Sequence, residues 1–502
     1  MRQGYAVLSV CAWIALLAGC AGHLKRGHRY FARADYRGAI DCYTMVIERN
    51  PKSSAAFFMR GEAYRKMGRY GLAIADLTRA IELNPTNAAA YNNRGEARVE
   101  VRDYENALDD FTRAIALSPG YATAHYNRGM SFERMRDYNR AIRDYTRAIE
   151  LRPRHADAYF CRGYMYSRKG SVDRAIRDYT RAIKLNPDYA DAYSLRAEAW
   201  EKKGDYDRAI SDYTRAVELK PNDTRAYCNR GVAYGMAGDH GRAIEDYTFA
   251  IKLKPDYFNA WCNRGIAYET LGDHHRAIDD FTRAIALKPR SARAHFCRGL
   301  ARANNNERKS AIRDYTRAIA LDADHAEAYF NRGIVHAENG SFDLAIADWS
   351  HAIELAPQDA DAYRCRGFAY TKTSDYDLAI KDFTSTIDLT PDSAAAYHNR
   401  GRAYDCKGDY ERAVRDYTHA IELDPDSPAA YFDRGLAYYH NGRFDKAIKD
   451  YDKVIELDPD HARAYFMRGM AYGRKGERDK AMENYADGVK LKRDERPAPT
   501  GQ

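Results

Sequence analysis

A chain of 502 residues sets 80 Lys and Arg against 72 Asp and Glu, leaving a formal net charge of +8 in a composition that is 30% charged. So even a balance argues against a nucleic-acid surface, which gathers its basic residues on one face, and points to solvated, salt-laced helices. Tyr is abundant at 41 and Pro scarce at 15, a composition of ordered structure, and the length alone would suggest several globular domains if no internal period overrode it.

The chain opens with Arg2, an apolar stretch from Tyr5 to Leu17, and then Leu17-Ala18-Gly19-Cys20. The run is short for a bilayer span, and the small residues before Cys20 suit a signal peptidase, so residues 1–19 read as a secretory signal. The ending resembles a bacterial lipobox. That resemblance implies an acylated Cys20 anchoring the mature chain. With Ala21 and Gly22 after the cysteine and no Asp, it also implies an outer-membrane address facing the periplasm. An ordinary signal that releases a free protein is the alternative.

From Cys20 onward the chain repeats every 34 residues, in units starting at 20, 54, 88, 122, 156, 190, 224, 258, 292, 326, 360, 394, 428 and 462 and ending at Glu495. Position 8 of each unit is Gly, as at Gly95, except for Ala197. Position 20 is Ala in all fourteen, as at Ala107; position 24 is aromatic in all but one, Leu77; position 27 is Ala in ten; and Pro stands at position 32 in twelve. Small residues at 8 and 20 let two helices cross closely, aromatics fill the space around the crossing, and Pro stops the second helix. Hairpins of this kind leave apolar surface that only a neighbour can cover, so they must stack.

This pattern resembles the tetratricopeptide repeat family over about 95% of the chain. The resemblance implies an all-α, right-handed superhelical solenoid of about fourteen helix-turn-helix units, followed by a short tail over residues 496–502. It further implies that the first helix of each unit lines a concave groove, with positions 2, 5, 9, 12 and 13 facing a bound polypeptide. Position 5 then supplies the candidate groove residues Phe58, Tyr126, Phe160, Phe296, Phe330, Phe432 and Phe466, and position 9 adds apolar residues from Tyr164 to Met470. The alternative is that position 5 only completes the core, since aromatic stripes at helical spacing are more often core. Lys at position 5 and Asn at position 9, the clamp that chaperone-binding relatives use for a C-terminal carboxylate, occur in no unit.

Position 7 departs from the family by being Arg in every unit, and position 23 is Asp in twelve. A charge near the helix crossing needs a partner, so the expectation is an interhelical pair such as Arg94 with Asp110; a ladder of Arg residues reading acidic ligands is the alternative. Seven cysteines follow Cys20, and an odd number argues against a full disulfide framework. Cys228 and Cys262 occupy equivalent places on stacked helices about 8–10 Å apart, beyond a disulfide's reach, and the cysteines read as small buried hydrophobes. The 15 His are scattered, His274-His275 lies at an interhelix turn, and neither a phosphate-binding Gly loop nor a nucleophile elbow is present, so no metal, cofactor or catalytic residue is expected. The last unit has Gly488 at position 27 and Arg493 at position 32, and its basic end reads as a polar cap or as a contact for anionic lipid or cell-wall polymer. The sum is a non-enzymatic scaffold in the bacterial cell envelope that holds proteins or peptides in its groove, with self-association allowed through open stack ends. A module for envelope glycan or another polymer is the rival.

Overall fold

The structure is a computed structural model that describes residues 21–494; the signal segment, Cys20 and the tail over 496–502 lie outside the described residues. Every regular element among the described residues is helical: a helix over 21–32 and twenty-seven more, from Tyr36–Arg49 to Arg478–Asp494. They alternate between a shorter helix A, such as Ala88–Glu100, and a 14-residue helix B, such as Tyr104–Leu117. From the second unit on, helix A begins on the first residue of the 34-residue frame, at Ser54, Ala88, Ala122 and onward to Ala462. The chain divides into two compact units at Pro255 and Asp256. Within each, consecutive helices pack as antiparallel hairpins and each hairpin lies against the next.

Local chemistry sets the boundaries. Side chains just before helix A accept from N–H groups of its first turn that have no partner within the helix, Asn87 from Ala90 and Asp223 from Ala226, and Asp137 caps a helix B through Arg140 N at 3.0 Å. Helix A ends through a left-handed residue at position 15 in all fourteen units: Gly in nine, and Ala34, Arg102, Arg136, Asn306 and Ser374 in the others. Helix B stops at position 30, Leu in every unit but the first, two residues before the proline, and the intervening residue is extended, as proline requires of its predecessor. Proline is not the sole cause. Arg308–Leu321 ends at the same place although Ala323 replaces Pro, because Asp322 turns the chain and accepts from Asp324 N at 3.3 Å. Where Arg493 replaces Pro, the last helix continues to Asp494.

The hairpin core is an aromatic ring laid over a glycine. A Cβ built on Gly95 would lie 2.7 Å from Phe111 Cε1, and one on Gly333 would lie 2.8 Å from Trp349 Nε1. The absent side chain therefore admits the position-24 ring more than it admits the neighbouring backbone. Ala107 and its equivalents close the other side and are fully buried.

Arg at position 7 pairs with Asp at position 23 in every unit from the second to the thirteenth. Arg94 Nη2 lies 2.6 Å from Asp110 Oδ1, Arg162 Nε 2.7 Å from Asp178 Oδ2, and Arg434 Nη2 2.8 Å from Asp450 Oδ1. The fork is bidentate, with Arg162 Nη2 reaching Asp178 Oδ1 at 2.8 Å. The same guanidinium also reaches backward. Arg94 Nη1 donates to Thr78 Oγ1 at 3.1 Å, Arg162 Nη1 to Thr146 Oγ1 at 3.1 Å, and Arg366 Nη1 to Ser350 Oγ at 2.9 Å, each residue at position 25 of the preceding unit. One Arg thus staples three helices: its own, its hairpin partner and the previous helix B. The pattern lapses where it has no partner to serve: Cys42 replaces the first Asp and Arg26 turns to Tyr30 Oη at 3.2 Å, while position 25 of the last unit is Ala486.

Candidate ligand-binding face

Helix A carries every candidate groove residue, and the structure places the position-5 rings deeper than a free groove wall would. Phe160 stacks on Tyr189 with ring centroids 4.8 Å apart and meets Tyr179 at 6.0 Å. Tyr126 lies between Tyr145 and His155, and Phe296 between Tyr315 and His325. In each case the ring is held between the position-24 ring of its own unit and the position-34 residue that opens the next. Phe58, Phe330 and Phe466 are likewise half-buried, packed against the Leu77 cluster, the Trp349 cluster and the space beside Gly488. Phe432 is 6% exposed, closed in by Tyr451, His461 and the Arg463 guanidinium, and offers no groove surface. At these positions the core role takes most of each ring. Position 9 carries the exposed apolar surface, with Phe368 46% exposed and Met470 also exposed.

Two concavities lie on this face of the first compact unit. The larger, about 340 Å³, is lined by Glu133, Phe160, Tyr164, Asp191, Ser194, Leu195, Glu198, Arg225 and Asn229 from the A helices of four successive repeats, with Asp223 and Ala226 at the last of them. The smaller, about 200 Å³, includes Arg65, Tyr70, Glu96, Val99, Asn127 and Met130. Its floor is a polar network in which Glu96 accepts from Arg65 Nη1 at 2.6 Å, Asn127 Nδ2 at 2.7 Å and Asn92 Nδ2 at 2.8 Å. Position 6, which supplies Asn127, Leu195 and Asn229, thus belongs to the face although the family's pattern does not include it. At position 12, Glu133 accepts from the buried Tyr145 hydroxyl at 2.6 Å and Glu201 from Tyr213 at 2.9 Å. Burial pushes both carboxyls above their usual range, against these hydrogen bonds.

The cysteines divide. Cys42, Cys228 and Cys262 are buried, Cys161, Cys297 and Cys365 are half-buried, and Cys406 is exposed, so the reading of all seven as core hydrophobes fails at Cys406. Burial pushes the Cys161 and Cys262 thiols up to about 12. His274 Nδ1 lies 3.0 Å from Glu269 Oε1. Among the described residues, no three His, Cys, Asp or Glu side chains are grouped to hold a metal, and no helix is long and apolar enough to cross a membrane.

Family models described as tetratricopeptide repeat match residues 42–75, 92–134, 122–155, 144–177, 162–224, 224–257, 258–291, 297–367, 358–426, 398–460 and 441–496, and one described as TPR repeat matches 61–101. No catalytic family is among them. Of curated proteins, none matches the chain. Among solved structures, the chain is similar to MamA, at 29% identity over 32% of this chain and 95% of that one, with a TM-score of 0.31. It is also similar to YrrB, described as a TPR protein with an unusual peptide-binding site, at 26% identity over 37% and 95% with a TM-score of 0.34. The Cut9–Hcn1 hetero-tetramer of the APC/C matches at 18% identity over 89% and 95%, with a TM-score of 0.37.

Proposed function

Because the chain belongs to the tetratricopeptide repeat family, we propose that it is a non-enzymatic scaffold whose helix-A face docks partner polypeptides. The observation that carries the proposal is the concavity of about 340 Å³ built by the A helices of four consecutive repeats, which sets Phe160, Tyr164 and Leu195 beside Asp191, Glu198 and Asn229. Apolar wall with a few polar groups along one edge suits an extended or helical peptide, which buries side chains and needs donors and acceptors for the rest. In the second compact unit, Phe368 and Met470 at position 9 of helix A offer exposed apolar surface of their own.

The N-terminal reading completes the proposal: Cys20, preceded by Leu17-Ala18-Gly19, is acylated and holds the repeats at the periplasmic side of a bacterial outer membrane. Intact-mass measurement of the membrane fraction should find a diacylglycerol-modified chain starting at Cys20, and an unmodified chain would remove the anchor. The groove is tested with Ser194→Trp, which fills the concavity from position 5. Capture of partner polypeptides from solubilised membranes should fall roughly tenfold. Undiminished capture, or recovery of a carbohydrate polymer with no stoichiometric protein, would overturn the docking role.

A further inference from the structure

The concavity built by the A helices of the fourth to seventh repeats is acidic, within a chain whose net charge is +8. Its lining sets the carboxylates of Glu133, Asp191, Glu198 and Asp223 against one cation, Arg225. Glu198 also interrupts an apolar position: position 9 is Tyr164 in the repeat before it and Val232, Ile266, Leu300, Ile334 and Phe368 in the five that follow.

Each carboxylate is engaged by the chain through one oxygen only. Glu133 Oε2 accepts from the Tyr145 hydroxyl at 2.6 Å, and Asp191 Oδ1 from Lys220 Nζ at 2.6 Å. Asp223 Oδ1 accepts from the Arg225 and Ala226 N–H groups at 3.0 and 3.1 Å, and Glu198 Oε1 takes both Arg225 and Asn229 Nδ2. The second oxygen of each makes no hydrogen bond among the described residues, and none of these oxygens is sealed from solvent. Asp191 and Glu198 have counterions in Lys220 and Arg225. Glu133 has no ion pair among the described residues although it is half-buried, and burial pushes its carboxyl above the usual range.

A partner for this wall brings N–H donors and positive charge to the open carboxylate oxygens and apolar contact to Tyr164 and Leu195. The described residues group no three such ligands for a metal. The chain's own arginines show which cation fits. Arg162 forks onto Asp178 at 2.7 and 2.8 Å with its guanidinium carbon 5.6 Å from the centre of the Tyr159 ring, and Arg94 lies in the same way between Asp110 and Tyr91. A planar guanidinium meets a ring with its face and a carboxylate with its edge, which a compact ammonium does not. We propose that this concavity takes an arginine side chain of the docked polypeptide, donating to the open oxygen of Glu133 and stacking on Tyr164, with an apolar neighbour against Leu195. It rests on the docking reading above and names the chemistry of the partner.

The test is selection of a random dodecapeptide library, displayed on phage, on the full chain and on Ser194→Trp. Clones held by the wild type and lost on Ser194→Trp should be enriched in arginine next to an apolar residue. One enriched peptide, synthesised with arginine or with its neutral isostere citrulline, is then titrated calorimetrically. Citrulline in the peptide and Glu133→Gln in the protein should each weaken binding roughly tenfold. Glutamine keeps an acceptor for the Tyr145 hydroxyl, so the variant should melt no lower than wild type at pH 8, which separates lost binding from lost fold. Groove-dependent clones with no enrichment of arginine, or equal binding of the arginine peptide by wild type and Glu133→Gln, would overturn the arginine pocket and leave docking standing. A selection that yields no clone dependent on Ser194 would overturn docking in this concavity and the arginine pocket with it.

Discussion

Replacing Asp178 by Ala tests the arginine staple in a place where both its arms can be read. Arg162 holds Asp178 through two hydrogen bonds of 2.7 and 2.8 Å, and its third arm reaches Thr146 of the preceding repeat at 3.1 Å. Removing one partner of a buried pair costs about 3–5 kcal/mol, because the survivor is left charged and unpaired. The Arg162 and Asp178 side chains are 17% and 9% exposed, so water relieves part of that penalty and the low end, about 3 kcal/mol, is expected. Thr146→Val removes only the backward arm, one hydrogen bond to a charged group, at about 1.5 kcal/mol. A long repeat array does not unfold in one step, so hydrogen exchange resolved along the chain is the suitable assay. Asp178→Ala should speed exchange in Ala156–Arg168 and Val172–Leu185 by roughly a hundredfold. Thr146→Val should instead loosen both Tyr138–Leu151 and Ala156–Arg168, since it severs one repeat from the next. Arg162→Met with Asp178→Leu should recover most of the loss. If Asp178→Ala leaves exchange unchanged, the pair faces solvent and the staple is refuted.

Other consequences follow from the same contacts. Gly95→Ala puts a methyl 2.7 Å from the Phe111 ring and should destabilise by about 1–3 kcal/mol, seen as a lower melting temperature. Arg136→Gly relieves a left-handed residue at φ 61° and should stabilise by about 1 kcal/mol in the same measurement. Glu133→Gln concerns pH. The folded carboxyl sits above its unfolded range, so its contribution is fully present below about pH 4 and is lost as pH rises through the folded value. The variant should therefore melt higher than wild type at pH 8 and equally at pH 4.

Much of this architecture is readable in the amino-acid order because each repeat states the same solution again. Gly95 and Ala107 mark the close crossing, and Arg94 and Asp110 announce their pairing by recurring together in twelve of the fourteen units. What escapes the reading needs the neighbour. Thr78 is an ordinary surface residue within its own helix and becomes a ligand for Arg94 only once the next hairpin is stacked on it. The position-5 rings look like groove wall until position 34 of the following turn, His155 or Tyr189, closes over them. The left-handed turn had a sequence signal in its nine glycines, weakened by Arg102 and Arg136, which adopt the same backbone.

The docking face itself is tested most directly by a photo-crosslinking residue placed at Phe368 on helix A or at Leu378 on helix B of the same repeat, two sites each 46% exposed. Irradiated cells should yield discrete polypeptide adducts from position 368 and none from position 378. Adducts from 378 alone, or equally from both, would contradict docking on the helix-A face.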